Sequence, residues 1–146
     1  MCDTARVTGL LAALSIAAVL AGSAVAATTT NPGAKQLPGI WTTTVTGKKP
    51  AALNGDWAIQ ILPNGDYTTV KRAGNSAKLM VRGEAYLVGS RGIIFKNETG
   101  PAACTGKQAA GRYSFVVIGK TLTFVRVKDL CVGRRTVLGS VFTRAK

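Results

Sequence analysis

Cys104 and Cys131 carry the most reactive side chains in the body of the chain, and their number limits what they can do. The third cysteine, Cys2, falls at the extreme N-terminus. Two thiolates are too few for a structural zinc ion, and no histidine exists to complete a metal site. In an oxidising compartment an even pair of thiols forms a disulfide. Closing the 27-position separation of Cys104 and Cys131 is worth about 3–4 kcal/mol by chain-entropy reasoning. With both thiols consumed, no sulfur nucleophile remains. The absence of histidine also removes the commonest general base and the base of a serine triad.

Beyond the N-terminal segment there are five acids: Asp56, Asp66, Glu84, Glu98 and Asp129. Asp66 lies in a turn and Asp56 in a Gly-x-Trp element. Asp129 is expected to pair with Arg134 beside the disulfide. Glu84 follows Gly83 in the middle of a strand, where alternation puts it on the solvent face. The glycine-rich stretch from Gly106 to Gly111 precedes no helix, so it makes no phosphate-cradling loop. Asn97-Glu98-Thr99 is an N-glycosylation sequon, meaningful only in a eukaryotic secretory route. The expectation is a protein that is not an enzyme and uses no metal or cofactor.

Charge is the next constraint. Lys and Arg number 19 against 6 acids, a net charge of +13. Such an excess predicts attraction to polyanions: anionic headgroups, cell-wall polymers, nucleic acid or acidic glycans. The cations are scattered, with only Lys48-Lys49, Lys71-Arg72 and Arg134-Arg135 adjacent. Lys71 and Arg72 are the candidate polyanion contacts. Aromatic residues make up 6% of the chain and no strand shows the aromatic-plus-basic motif of an RNA-recognition sheet, so specific nucleic-acid binding is not expected.

The elements that must position these residues begin after a targeting segment. Arg6, an apolar run from Val7 to Leu20 and Ala24-Val25-Ala26 read as a signal peptide spanning residues 1–26. Leu20-Ala21-Gly22-Ser23 resembles a lipoprotein box but has serine where the lipid-bearing cysteine must stand. The reading is therefore export to periplasm, cell wall or medium, with no transmembrane segment in the mature chain, and a monomer is expected. Residues 27–38 read as a flexible leader and residues 39–146 as one barrel domain.

From Gly39 onward short β-rich runs alternate with turn residues. Trp41 to Thr46 is the first run. Trp57, Ile59 and Ile61 then alternate with polar neighbours, the pattern of a half-buried strand. Pro63-Asn64-Gly65-Asp66 is a strong turn. Further runs follow at Tyr67–Arg72, Leu79–Val88 and Ile93–Asn97. Gly111 to Val127 forms a hairpin around Gly119-Lys120, and Thr136 to Phe142 is assigned as the closing strand. The fold class is all-β, with about eight strands and one disulfide. A closed antiparallel up-and-down barrel is favoured over a sandwich, because closure leaves no edge strand exposed.

Gly39-Ile40-Trp41 and Gly55-Asp56-Trp57 both match the Gly-x-Trp that opens the barrel of lipocalins and related calycins. Asn64 to Tyr67, Gly100 to Cys104, Gly111 to Tyr113 and Asp129 to Arg134 follow in an order similar to secreted bacterial lipocalin-like domains. The resemblance covers about residues 39–142. It implies a tryptophan closing one barrel end under a late arginine: Arg134, Arg135 or Arg144 over Trp41 or Trp57. Trp41, Asp129, Arg134 and Arg135 would then form a structural rim. It also implies a calyx, for which Trp57, Tyr67, Tyr86, Phe95, Tyr113, Phe115 and Phe124 are the candidate lining residues. The leading expectation is a non-catalytic carrier of a small hydrophobic or amphiphilic, anionic-headed ligand. The alternative is a side-chain-filled barrel acting as a basic surface or inhibitor protein, binding envelope polyanions or a protein partner through its loops.

Overall fold

Eight antiparallel strands pair each with the next, and the last returns to the first. In the computed structural model, which describes residues 32–146, they run β1 (Gly39–Val45), β2 (Gly55–Ile61), β3 (Asp66–Ala73) and β4 (Ser76–Val88). They continue as β5 (Gly92–Thr99), β6 (Gly111–Ile118), β7 (Thr121–Lys128) and β8 (Val141–Arg144). The order β1 to β8 closes into one up-and-down barrel, which rules out the sandwich. Closure is brief: β8 is in register with β1 only through Trp41–Arg144 and Thr42–Thr143. The expected signal peptide, residues 1–26, lies outside the described residues. No described helix is long and apolar enough to cross a membrane.

Period-two alternation decides which side chains face inward. Trp41 and Val45 on β1, Trp57, Ile59 and Ile61 on β2, and Phe115 on β6 are all at most 3% exposed. Between β4 and β5 the alternation breaks. The two steps from Arg82 to Glu84 are matched by three steps from Lys96 to Thr99. The extra residue is on β5, where Asn97 adopts a positive φ of 54°. This bulge lies opposite Gly83 and shifts the phase of β5 by one residue. Ile93 and Phe95 point inward, Asn97 points out, and Glu98 turns into the barrel.

Two expectations are corrected here. Thr136 to Phe142 is not one strand: Val132–Leu138 forms a short helix, α2, and only Val141–Arg144 is β8. The β-branched residues suggested a strand, but burying Arg134, Val137 and Leu138 against the barrel end requires a helical turn. Helix and strand propensities differ by only tenths of a kcal/mol per residue, too little to resist that packing. The second correction is to the leader. Its last part forms α1 (Pro32–Gln36), and Leu37 is 2% exposed within the core. The indole N–H of Trp41 donates to the Leu37 carbonyl at 2.8 Å, which fixes this segment over the barrel end.

Candidate functional site

The barrel interior is filled by side chains. Phe95 makes edge-to-face contacts with Tyr67, Tyr113 and Phe124 at centroid distances of 5.0, 5.8 and 5.6 Å. Phe124 continues the series to Phe142 at 5.9 Å. Between the strands and α2 lies a cavity of ≈ 40 Å³, bordered by Leu53, Trp57, Tyr67, Phe95, Glu98 and Arg134. That is room for about three waters, whereas pockets for drug-sized ligands run to roughly 300–1,000 Å³.

Of the seven candidate lining residues, Trp57, Tyr67 and Phe95 border this cavity, while Tyr113, Phe115 and Phe124 are buried in the packed core. Tyr86 is corrected: it lies on the outer wall, 44% exposed. Val81 and Ala85 point inward on the same strand, so alternation carries residue 86 outward. There its hydroxyl donates to Glu84, which also accepts from Asn97 at 2.9 Å. Those hydrogen bonds hold the Glu84 carboxyl below its ordinary range.

The most organised polar group is buried under α2. Glu98 and Asp129 each accept from a tyrosine hydroxyl, Tyr67 and Tyr113 respectively. Each also accepts a backbone N–H from one half of the disulfide: Cys104 to Glu98 and Cys131 to Asp129, both at 2.8 Å. Arg134 joins the two units. Its Nη1 lies 2.5 Å from Glu98 Oε1, and its Nε lies 2.7 Å from Asp129 Oδ2. The remaining Nη2 donates to Asp129 Oδ1 and to the Gln108 carbonyl, each at 2.9 Å. No buried side-chain nitrogen or oxygen among the described residues lacks a partner.

Electrostatics follow from this packing. Burial, reinforced by the Glu98 charge, pushes the Tyr67 phenol far above its usual range. Burial and the bond to Asp129 do the same for Tyr113. For Asp129, burial favours the neutral acid, but Arg134, Tyr113 and the Cys131 N–H outweigh it and hold the carboxyl below its usual range. The two hydroxyls stay protonated donors, and the Asp129 carboxylate stays charged. Every donor and acceptor is used internally, so the cluster is suited to fixing α2, the disulfide and the end of β5 together. The disulfide pairs Cys104 with Cys131, as the sequence required. Glu98 was not singled out in the sequence; only the phase shift at Asn97 brings it inside.

Both Gly-x-Trp elements turn out to be the same device. In Leu37-Pro38-Gly39-Ile40-Trp41 and Leu53-Asn54-Gly55-Asp56-Trp57, each indole N–H donates to the leucine carbonyl four residues back, at 2.8 Å. Each glycine has a positive φ, 141° at Gly39 and 123° at Gly55, which a side chain would resist. A cation covers each unit: the Arg144 guanidinium is 4.2 Å from the Trp41 ring centre and the Lys71 ammonium 5.8 Å from that of Trp57. Arg144 thus takes the place over Trp41. Arg134 serves the buried carboxylates instead, and half-buried Arg135 stacks on neither tryptophan. The Lys71 ammonium donates to the Ala52 carbonyl beside Trp57. Arg72 remains exposed.

Fold and site together define a closed, eight-stranded, up-and-down barrel with a packed interior and a disulfide-linked polar cluster at one end. No protein-family model matches the chain, and no curated protein matches it.

Proposed function

We propose that this is a secreted, non-catalytic binding protein whose lipocalin-like barrel is a rigid scaffold and whose basic exterior meets the partner. The observation that carries this reading is the ≈ 40 Å³ interior cavity, several-fold smaller than an amphiphile needs. The charge of +13 supports an anionic partner surface. Both ion pairs among the described residues belong to Arg134, so the other basic side chains keep their charge for the exterior. The non-catalytic part is supported by the absence of histidine and by the engagement of Glu98 and Asp129 with Arg134.

The carrier reading survives for a ligand of a few heavy atoms, since Trp57, Tyr67 and Phe95 border the cavity. Two measurements separate these readings. Sedimentation with phosphatidylglycerol-containing vesicles, against pure phosphatidylcholine, should show salt-sensitive binding to the anionic vesicles alone. Equal sedimentation with both, or with neither, would sink the exterior reading. Native mass spectrometry of protein from its own source should show a bare mass; a stoichiometric small molecule would restore the carrier.

A further inference from the structure

Arg112 on β6 and Lys128 on β7 stand directly opposite one another. Like charges in that position repel and weaken a sheet, yet among the described residues neither has an acid within ion-pair distance. Lys107, on the short turn Gly106–Gln108, borders the same surface groove of ≈ 450 Å³. Asp129 is the one acid on its wall, and both of its oxygens are occupied by Tyr113, Arg134 and the Cys131 N–H. Three cations against that single carboxylate leave an excess of about two positive charges, and the groove supplies no counter-ion of its own.

We propose that the groove lined by Lys107, Arg112 and Lys128 is a binding site for a phosphate group. The inference rests on the exterior-binding reading and gives it a location. A phosphate placed between Arg112 and Lys128 turns their repulsion into two attractions. The guanidinium fork offers paired N–H donors matched to two phosphate oxygens, and the lysines add mobile point charges. The outer face of the same sheet continues from Arg112–Lys128 to Ser114–Val125 and Val116–Thr123. Val125 and Val116 are 56% and 42% exposed there. Exposed Leu130 also borders the groove. Aliphatic surface beside a phosphate site suits a phospholipid headgroup, while free phosphate would use the cations alone.

The test compares the full chain with Arg112→Gln, Lys128→Gln and, as a charge-matched control at the opposite hairpin turn, Lys120→Gln. Inorganic phosphate is titrated by calorimetry, and thermal melts are recorded in phosphate and in chloride at equal ionic strength. We expect phosphate to raise the melting temperature of the unsubstituted chain above its chloride value. Each groove substitution should weaken phosphate binding about tenfold and abolish the phosphate-specific shift. In chloride alone the same two variants should melt no lower than the parent, since a repulsion has been removed, and this also reports that they fold. Lys120→Gln should behave as the parent.

Vesicle sedimentation then separates the sources. Loss of phosphatidylglycerol binding in both groove variants identifies a lipid headgroup, whereas loss of phosphate binding alone identifies the free ion. If phosphate binding is absent in the parent, or unchanged in both groove variants, the site is refuted. Retained salt-sensitive binding to the anionic vesicles would still leave the exterior reading standing, whereas equal sedimentation of the parent with both vesicle types, or with neither, would remove that reading too.

Discussion

The Arg144 guanidinium caps the Trp41 ring at 4.2 Å while donating to the carbonyls of Gln36 and Pro38. One side chain near the end of the chain therefore secures β1, the turn of α1 and the Trp41 unit. Replacing it with alanine removes a cation–π contact and leaves two carbonyls without their donor. We expect Arg144→Ala to cost about 1–3 kcal/mol in urea unfolding. Arg144→Lys should recover only part, because an ammonium cannot both stack flat and fork between two carbonyls. A neutral alanine variant would show the cap to be decorative.

Arg134 is the single cation between Glu98 and Asp129. Its removal leaves two buried carboxylates facing each other without compensation. Arg134→Met is expected to lose about 3–5 kcal/mol, measured by denaturant unfolding. Glu98→Gln keeps the shape and one carboxylate partner, so its loss should be smaller. The reverse ranking would mean that Glu98, not Arg134, organises the cluster.

Acidification should act through Asp129. Its carboxyl is depressed in the folded chain, so it binds protons more weakly there than in the unfolded chain. Its contribution is complete above the unfolded value of about 4 and is lost as pH falls through the lower folded value. Melting temperature should therefore decline below about pH 4. Asp129→Asn should give a lower plateau at neutral pH and a flatter acid limb. An unchanged limb would assign acid sensitivity to other carboxylates.

Much of the barrel was legible because turn chemistry and alternation are local. Asn64-Gly65 and Gly119-Lys120 mark hairpins, and Trp57, Ile59 and Ile61 announce their face. Cysteine counting identified the disulfide, and proximity in sequence identified Asp129 with Arg134. Glu98 was hidden because strict alternation from Ile93 and Phe95 puts Asn97 inside, and one residue in a left-handed conformation reverses the phase. Asparagine tolerates that conformation better than most residues, but it does not demand it. Seven residues of α2 are too few to display a helical period, and the contacts of Arg134 that select the helix lie far away on β5 and on the loop before β6. Whether the interior was hollow depended on aromatic packing across five strands, which no local pattern encodes.

The disulfide adds its own expectation. Cys131 directly precedes α2, and the bonded pair closes 27 positions of chain. The double variant Cys104→Ala, Cys131→Ala should lose roughly 3–4 kcal/mol relative to the oxidised parent. Reduction of the parent should reproduce most of that loss. Both are read from the midpoint and slope of urea unfolding. A loss under 1 kcal/mol would mean that the Arg134 cluster alone holds the helix.

The two-pair closure between β1 and β8 also imposes a schedule on the growing chain. Pro38 meets Arg144 across 106 positions, so the first strand waits unpaired on one side until the last has emerged. Non-local pairing of this kind slows folding. A molecule stopped short of Val141 carries two raw edges, on β1 and β7, each able to recruit a strand from another copy. The few residues of β8 thus separate a closed barrel from one whose open edges can seed aggregation.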